Sequence, residues 1–139
     1  MEYYLRPGAL PDVEHASVKM DLSRRDFTIN AMAIRLPDLT LVDLYGGRED
    51  LAAGLIRTPG TAHDSFMDDP LRMMRGARFA AQLGVELDAE VLSAAQGMAE
   101  RITIVSAERV GDELTKLMLA RDPVAGIRVL VDSGVAAHV

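Results

Sequence analysis

The sequence has neither cysteine nor tryptophan in 139 residues. Without thiols there is no disulfide framework, no thiolate metal site and no cysteine nucleophile. No apolar run approaches the roughly 18 residues that a membrane span requires. The first residues, Met1-Glu2-Tyr3-Tyr4-Leu5-Arg6-Pro7, lack the basic stretch and apolar core of a secretory signal. These absences predict no membrane segment and a cytoplasmic location. Aromatic residues make up 4%, too few for a platform on which single-stranded bases stack. A basic surplus is missing too: 15 Lys and Arg against 21 Asp and Glu leave a net charge of −6, which taken alone argues against a nucleic-acid partner. There is no Walker-type or Rossmann-type glycine pattern, no internal repeat, and no serine, histidine and acid arrangement.

What is present is a globular composition, 49% hydrophobic and 26% charged, long enough for one domain or for two small modules sharing a core. Leu22, Ile29 and Met32 stand at helical spacing, with Asp21 or Ser23 as an N-cap, so a helix is expected over 21–32. Ala33-Ile34-Arg35-Leu36 and Thr40-Leu41-Val42-Asp43, joined by Pro37-Asp38, predict a hairpin. Gly46-Gly47 reads as a loop, Glu49 to Gly54 as a short helix, and Leu55 to Thr58 as one more strand. After Gly60 the strand signals stop and helical periodicity takes over. Helices are expected from Asp68 to Leu83, Ala89 to Glu100, Ser106 to Leu119 and Pro123 to Val131, with Gly84 and Gly134 as stops. The expected class is α+β, mainly α, with a boundary near residue 61.

Arginines cluster locally at Arg24-Arg25 and at Arg72, Arg75 and Arg78, and phosphate binding depends on such clustering rather than on the total charge. On a helix from Asp68, with Asp69 at zero and about 100° per residue, the last three arginines fall at about 300°, 240° and 180° and share a polar face. Asp69 and Arg72 would then be i,i+3 neighbours near the N-terminus, an acceptor beside a donor fork that suits the edge of a base. The alternative is a solvent-facing ion pair worth a few tenths of a kcal/mol. On the earlier helix Asp26 and Asn30 would be i,i+4 neighbours, and Arg25 would face the side of Ile29 and Met32, reaching a buried anion or snorkelling to water. His15, His63 and His138 lie far apart and read as surface or satisfied residues. Ser106, Glu108, Arg109 and Glu113 open a later helix as a cap with ion-paired neighbours.

Taken together, four stretches resemble the class II tRNA nucleotidyltransferases, the family of CCA-adding enzymes and bacterial poly(A) polymerases. Arg24-Arg25-Asp26-Phe27-Thr28-Ile29-Asn30-Ala31 is similar to the family's second motif. Asp43-Leu44-Tyr45-Gly46-Gly47-Arg48-Glu49-Asp50-Leu51 is similar to the third. Asp68-Asp69-Pro70-Leu71-Arg72-Met73-Met74-Arg75-Gly76-Ala77-Arg78-Phe79-Ala80-Ala81 resembles the fourth, with Asp at position 68 where the family usually has Glu. Ser106-Ala107-Glu108-Arg109-Val110, leading into Glu113-Leu114, resembles the fifth.

The resemblance implies a protein-templated transfer of CMP and AMP from CTP and ATP to the tRNA 3′ end. It gives Asp69 and Arg72 to the base, Arg25, Arg75 and Arg78 to sugar and phosphates, and Asp26 and Asn30 to the support of that pocket. Asp43, Gly46, Glu108 and Arg109 are supporting residues. It also implies Mg²⁺, held by an Asp-x-Asp pair in a first motif that nothing in Met1 to Ser23 supplies. The expectation is therefore a nucleotide pocket with no catalytic residue, no metal ligand and no turnover of its own. Residues 1–60 would be the remainder of a nucleotidyltransferase palm and residues 61–139 a truncated helical neck. A palm lacking its first strands predicts an unpaired sheet edge, exposed apolar surface and self-association.

Overall fold

The computed structural model describes residues 11–139, with side chains from Ser17 onward; His15 lies outside the described side chains. Helix α1 spans Pro11–Ser23 and is followed by turns and a short 3₁₀ segment, Thr28–Asn30. Strands β1 (Ala33–Arg35) and β2 (Thr40–Val42) form an antiparallel pair with Ala33 opposite Val42. Helix α2 (Gly47–Ala53) leads into strand β3 (Leu55–Ile56). Helices α3 (Ala62–Asp68) and α4 (Leu71–Leu83), strand β4 (Glu86–Leu87), and helices α5 (Ala89–Met98), α6 (Ala107–Met118) and α7 (Pro123–Asp132) complete the chain, with short 3₁₀ segments after α5 and α7. The fold is mainly helical with two small sheets, in agreement with the expected class. No described helix is long and apolar enough to cross a membrane.

The helix expected over 21–32 is not there. Ser23 ends α1 instead of opening a helix, and its Oγ donates to the Met20 carbonyl at 2.6 Å. Phe27, Thr28 and Ile29 are all buried. Three consecutive inward residues do not suit a helix lying on a surface, which turns part of its circumference to water. Phe27 is extended, and the Thr28 N–H donates to the Arg57 carbonyl at 2.8 Å, which pins this stretch beside the end of β3.

Two further expectations need correction. The strand expected over 55–58 is two residues long, and it pairs in parallel with Glu86–Leu87, a strand where helical pattern alone was expected. Two residues carry no readable period. The helix expected from Asp68 to Leu83 is α4, which starts at Leu71, and Asp68 instead ends a separate helix, α3, where none is expected. Asp69 between them is extended, with φ −148° and ψ 101°, because the ring of Pro70 disfavours the helical region for the residue before it.

Gly47, expected in a loop, opens α2, which Asp43 caps: its Oδ1 accepts from the Gly47 N–H at 2.8 Å and its Oδ2 from the Arg48 N–H at 3.1 Å. A Cβ at Gly47 would stand 2.3 Å from the Thr28 carbonyl oxygen, so this approach of α2 to the 3₁₀ segment requires glycine. Apolar residues from before and after the expected boundary near residue 61 share the main core. Phe27, Ile29 and Ile56 cluster with Phe66, Met74, Val91, Leu117 and Leu130. A smaller cluster joins Val18, Leu22, Ala31 and Ala33 beneath the hairpin. The hairpin's outer positions Ile34, Leu36, Leu39 and Leu41 are exposed, and within the described residues β1 and β2 have no further strand beside them.

Candidate functional site

Where the turn after α1 meets the start of α4, a cleft of about 470 Å³ forms. Arg25, Asp26 and Asn30 line it from the turn, and Asp69, Arg72, Arg75 and Arg78 from the α3–α4 junction and α4. All seven residues singled out for a nucleotide thus face one cavity, joined by Arg24 and Phe79. Five arginines against two aspartates make this cleft locally cationic in a chain whose net charge is −6.

Asp26 is at the centre of one wall and only 5% exposed. Its Oδ1 accepts from the Phe27 N–H at 2.7 Å and from Asn30 Nδ2 at 3.3 Å. Asp26 and Asn30 therefore meet as expected, although across a turn and a 3₁₀ segment rather than a helix. Asp26 Oδ2 has no hydrogen bond, and the Arg75 guanidinium stands 3.0 Å from it as an ion pair. Arg25 does not turn toward Ile29 and Met32; with no helix to carry it there, it pairs with Asp21 at 2.9 Å.

The other wall is held from behind by α6. Glu113, 6% exposed, accepts from Nε and Nη2 of Arg78 and lies 3.7 Å from Arg75 Nε. Arg78 also donates to Gln82 Oε1 at 3.1 Å and lies over the Phe79 ring, 4.5 Å from its centroid. Phe79 in turn stands edge-on to the fully buried Phe27, their centroids 5.9 Å apart. This chain of contacts ties the floor of the cleft to the core. Charge-assisted bonds to a buried carboxylate are the stronger kind, so Arg78 is held firmly.

At the rim, Asp69 and Arg72 do not pair through their side chains as the helical wheel predicts. Asp69 Oδ1 accepts from the Leu71 N–H at 3.1 Å, and Oδ2 from Arg109 Nη2 at 3.1 Å. Arg72 donates to Ser65 Oγ at 3.1 Å and to the Arg24 carbonyl at 2.7 Å, and it lies 3.4 Å from Asp68. Both side chains are thereby fixed on the same cleft wall, separately. Of the supporting residues, Arg109 reaches the site through Asp69. Asp43 and Gly46 act at the start of α2, and Glu108 is exposed in the first turn of α6; none of the three lines the cleft.

Sequence reasoning missed three contributors. Phe79 had a legible signal, being four residues after Arg75 on one helix face. Glu113 follows Arg109 at the same interval, but its burial against α4 is tertiary. Arg24 belonged to a cluster already noticed.

The acids near the cleft do not fit Mg²⁺. Asp26 is matched by Arg75, Asp69 by Arg109 and Glu113 by Arg78, whereas a hard cation needs several free oxygen ligands in one place. No group of three or more His, Cys, Asp or Glu suited to a metal ion occurs among the described residues.

Comparison with known proteins gives this cleft a context. Residues 2–57 match a family model described as the poly A polymerase head domain, and residues 84–139 match one described as a probable RNA and SrmB-binding site of polymerase A. A CCA-adding enzyme of Limosilactobacillus reuteri is 40% identical over 131 residues, covering 94% of this chain and 32% of that protein. An A-adding tRNA nucleotidyltransferase of Halalkalibacterium halodurans is 40% identical over 138 residues, with the same coverages. Among solved structures, a CCA-adding enzyme complexed with CTP superposes with a TM-score of 0.84 at 36% identity, over 92% of this chain and 31% of that one. A Thermotoga maritima CCA-adding enzyme complexed with tRNA does so with a TM-score of 0.73 at 37% identity, over 87% and 30%. The chain spans about a third of the length of the relatives it matches. On these matches and on its four ordered motifs, the chain belongs to the family of tRNA nucleotidyltransferases and bacterial poly(A) polymerases.

Proposed function

We propose that the arginine-lined cleft selects and holds CTP or ATP for the transfer of CMP and AMP to the 3′ end of a tRNA. The observation that carries this reading is the convergence of Arg25, Arg72, Arg75 and Arg78 with Asp69 on one cavity. Cytosine and adenine share an edge on which an amino donor lies beside a ring-nitrogen acceptor, whereas uracil and guanine present an oxygen beside an N–H. An aspartate acceptor and an arginine donor on one wall complement the first edge and leave unpaired groups against the second. In this reading Asp69 and Arg72 read the base, Arg25 and Arg75 meet sugar and phosphates, and Arg78, expected beside them but held by Glu113 and Gln82, keeps the wall in shape with Asp26 and Asn30. The family relation implies Mg²⁺ for the transfer step, and none of these residues is assigned to hold it.

The test is calorimetric titration of the chain with CTP, ATP, GTP and UTP, repeated on an Asp69→Ala, Arg72→Ala double variant. CTP and ATP should bind at least about tenfold more tightly than GTP and UTP, the discrimination expected when unpaired polar groups reject a base. The double variant should lose that preference. Equal affinity for all four, or a preference that survives the double substitution, would overturn the reading. An A-adding relative at 40% identity favours a second reading, in which the product is A alone or a poly(A) tail. Discrimination for ATP with CTP bound no better than UTP would support it.

A further inference from the structure

On the far side of α4, about 160° round the helix from Arg78, Ala80 lines another cleft, of about 290 Å³. It shares no residue with the arginine-lined one. Val85, Leu92, Ala125 and Val129 extend its apolar wall, and Glu86, Arg128 and Asp132 add three charges. All three are exposed, and none has a side-chain hydrogen bond or ion pair among the described residues. A strand edge opens on the same cleft. Strand β4 pairs on one side only: the Glu86 N–H donates to the Gly54 carbonyl at 2.8 Å and the Asp88 N–H to the Ile56 carbonyl at 3.0 Å. Successive residues of a strand turn their N–H and C=O to opposite edges, so those of Leu87 point away from β3. The Leu87 N–H has no partner among the described residues. Val85, Glu86 and Leu87 line the cleft whereas Leu55 and Ile56 do not, which puts the cleft on that free edge.

We propose that this cleft docks an extended segment of a partner protein, which pairs with the free edge of β4 and puts one apolar side chain, flanked by a basic residue, between α4 and α7. A free strand edge bonds the backbone of an extended chain, and a pocket beside it selects a side chain. The volume suits one or two apolar side chains and is below the range of pockets that enclose a whole small molecule. Glu86 and Asp132 against Arg128 leave one net negative charge beside the pocket, so a cation next to the apolar residue is attracted and an anion repelled. Because the two clefts lie on opposite sides of α4, a segment docked here leaves the arginine-lined cleft open.

The probe is a synthetic peptide of about six residues, the length of an ordinary strand, with a central leucine between two lysines and valine and threonine outside them. Two controls carry glutamate in place of lysine, or N-methyl groups on alternate backbone nitrogens. Each is titrated into the ¹⁵N-labelled chain, with affinity and amide exchange read by NMR. The lysine peptide should slow exchange at the Leu87 amide and leave the Glu86 and Asp88 amides, already bonded to β3, little changed. The N-methylated peptide should bind about tenfold more weakly, because it leaves backbone groups unpaired. The glutamate peptide should bind about fivefold more weakly, and the gap should close at high salt. Asp132→Lys, at the exposed end of α7 where the helix dipole favours a cation, should reverse that preference. Ala125→Leu fills the cleft from α7 and should abolish binding of the lysine peptide. A dispersed amide spectrum establishes that each variant is folded.

The proposal is overturned if the lysine peptide does not saturate a folded chain, if Leu87 exchange is unchanged at saturation, or if the glutamate peptide binds as well. Equal binding of the N-methylated peptide would make the cleft a pocket for a small apolar group rather than a strand-docking site, and overturns it too. So does slowing of Leu87 exchange as the chain alone is concentrated, which assigns the edge to a second copy. None of these results bears on nucleotide binding in the arginine-lined cleft.

Discussion

Glu113 braces two arginines of the arginine-lined cleft from behind, and Glu113→Gln tests this directly. Its buried carboxylate accepts from two nitrogens of Arg78 and stands near Arg75, two arginines that line the cleft from α4. Removing one partner of a buried ion pair costs about 3–5 kcal/mol. Here the cost falls below that range. The amide keeps the volume and one acceptor oxygen, Arg78 keeps Gln82 and the Phe79 ring, and Arg75 keeps Asp26. About 2 kcal/mol remains. In a chain of 139 residues each kcal/mol moves the midpoint by about 3–5 °C, so thermal unfolding followed by circular dichroism should show a drop of about 8 °C. Asp112→Asn, at an exposed neighbour on the same helix, should change stability by less than about 0.5 kcal/mol. If Glu113→Gln melts within about 2 °C of the parent, the carboxylate is not what ties α6 to the arginines of α4.

Gly126 lies where α7 meets α4 and α6, and a Cβ there would stand 2.7 Å from Leu117 Cγ and 2.9 Å from the Ala77 carbonyl oxygen; Gly126→Ala should destabilise by about 1–3 kcal/mol in urea unfolding. Gly111→Ala on α6, where a Cβ meets nothing within 4 Å, should instead stabilise by about 0.5–1 kcal/mol in the same assay. Asp43→Ala removes both side-chain bonds at the start of α2 and should cost about 1 kcal/mol, with Gly47 and Arg48 amides exchanging faster. In the hairpin turn, the Thr40 backbone N–H and then its side chain hold the Asp38 carboxyl below the ordinary carboxylate range. A depressed folded value contributes stability that is present above the unfolded pKa and lost as pH falls through the folded one. In an NMR titration the Asp38 carboxyl and the Thr40 amide should therefore move together, at lower pH than a free aspartate.

What was legible in the sequence was local. The hairpin follows from apolar residues flanking Pro37-Asp38, and its register, Ala33 against Val42, is the one that short turn allows. The later helices carry their own punctuation: Ser106 accepts from the Arg109 N–H at the start of α6, Asp122 from the Ala125 N–H at the start of α7, and Gly134 follows the end of α7 with a positive φ. What was not legible depended on partners far along the chain. Nothing near Thr28 announces that its N–H belongs to the Arg57 carbonyl, or that Leu55 and Ile56 pair with residues 86 and 87.

Asp69 shows how a local rule, overlooked, changes the chemistry of a site. Placing it on the helix of Arg72 makes it an i,i+3 neighbour of that arginine and predicts a surface ion pair. Pro70 works against this, because the residue before a proline is pushed toward extended backbone, and Asp69 is extended. Off the helix, Asp69 has one oxygen free to take the Leu71 N–H at the start of α4 and the other to reach Arg109 on α6. The same displacement leaves Arg72 to turn back toward Ser65 and the Arg24 carbonyl. Acceptor and donor therefore stand on one wall without neutralising each other. Held by separate partners, Asp69 by Arg109 and the Leu71 N–H, Arg72 by Ser65, Asp68 and the Arg24 carbonyl, each keeps its own orientation. The proline between them is what makes that arrangement possible.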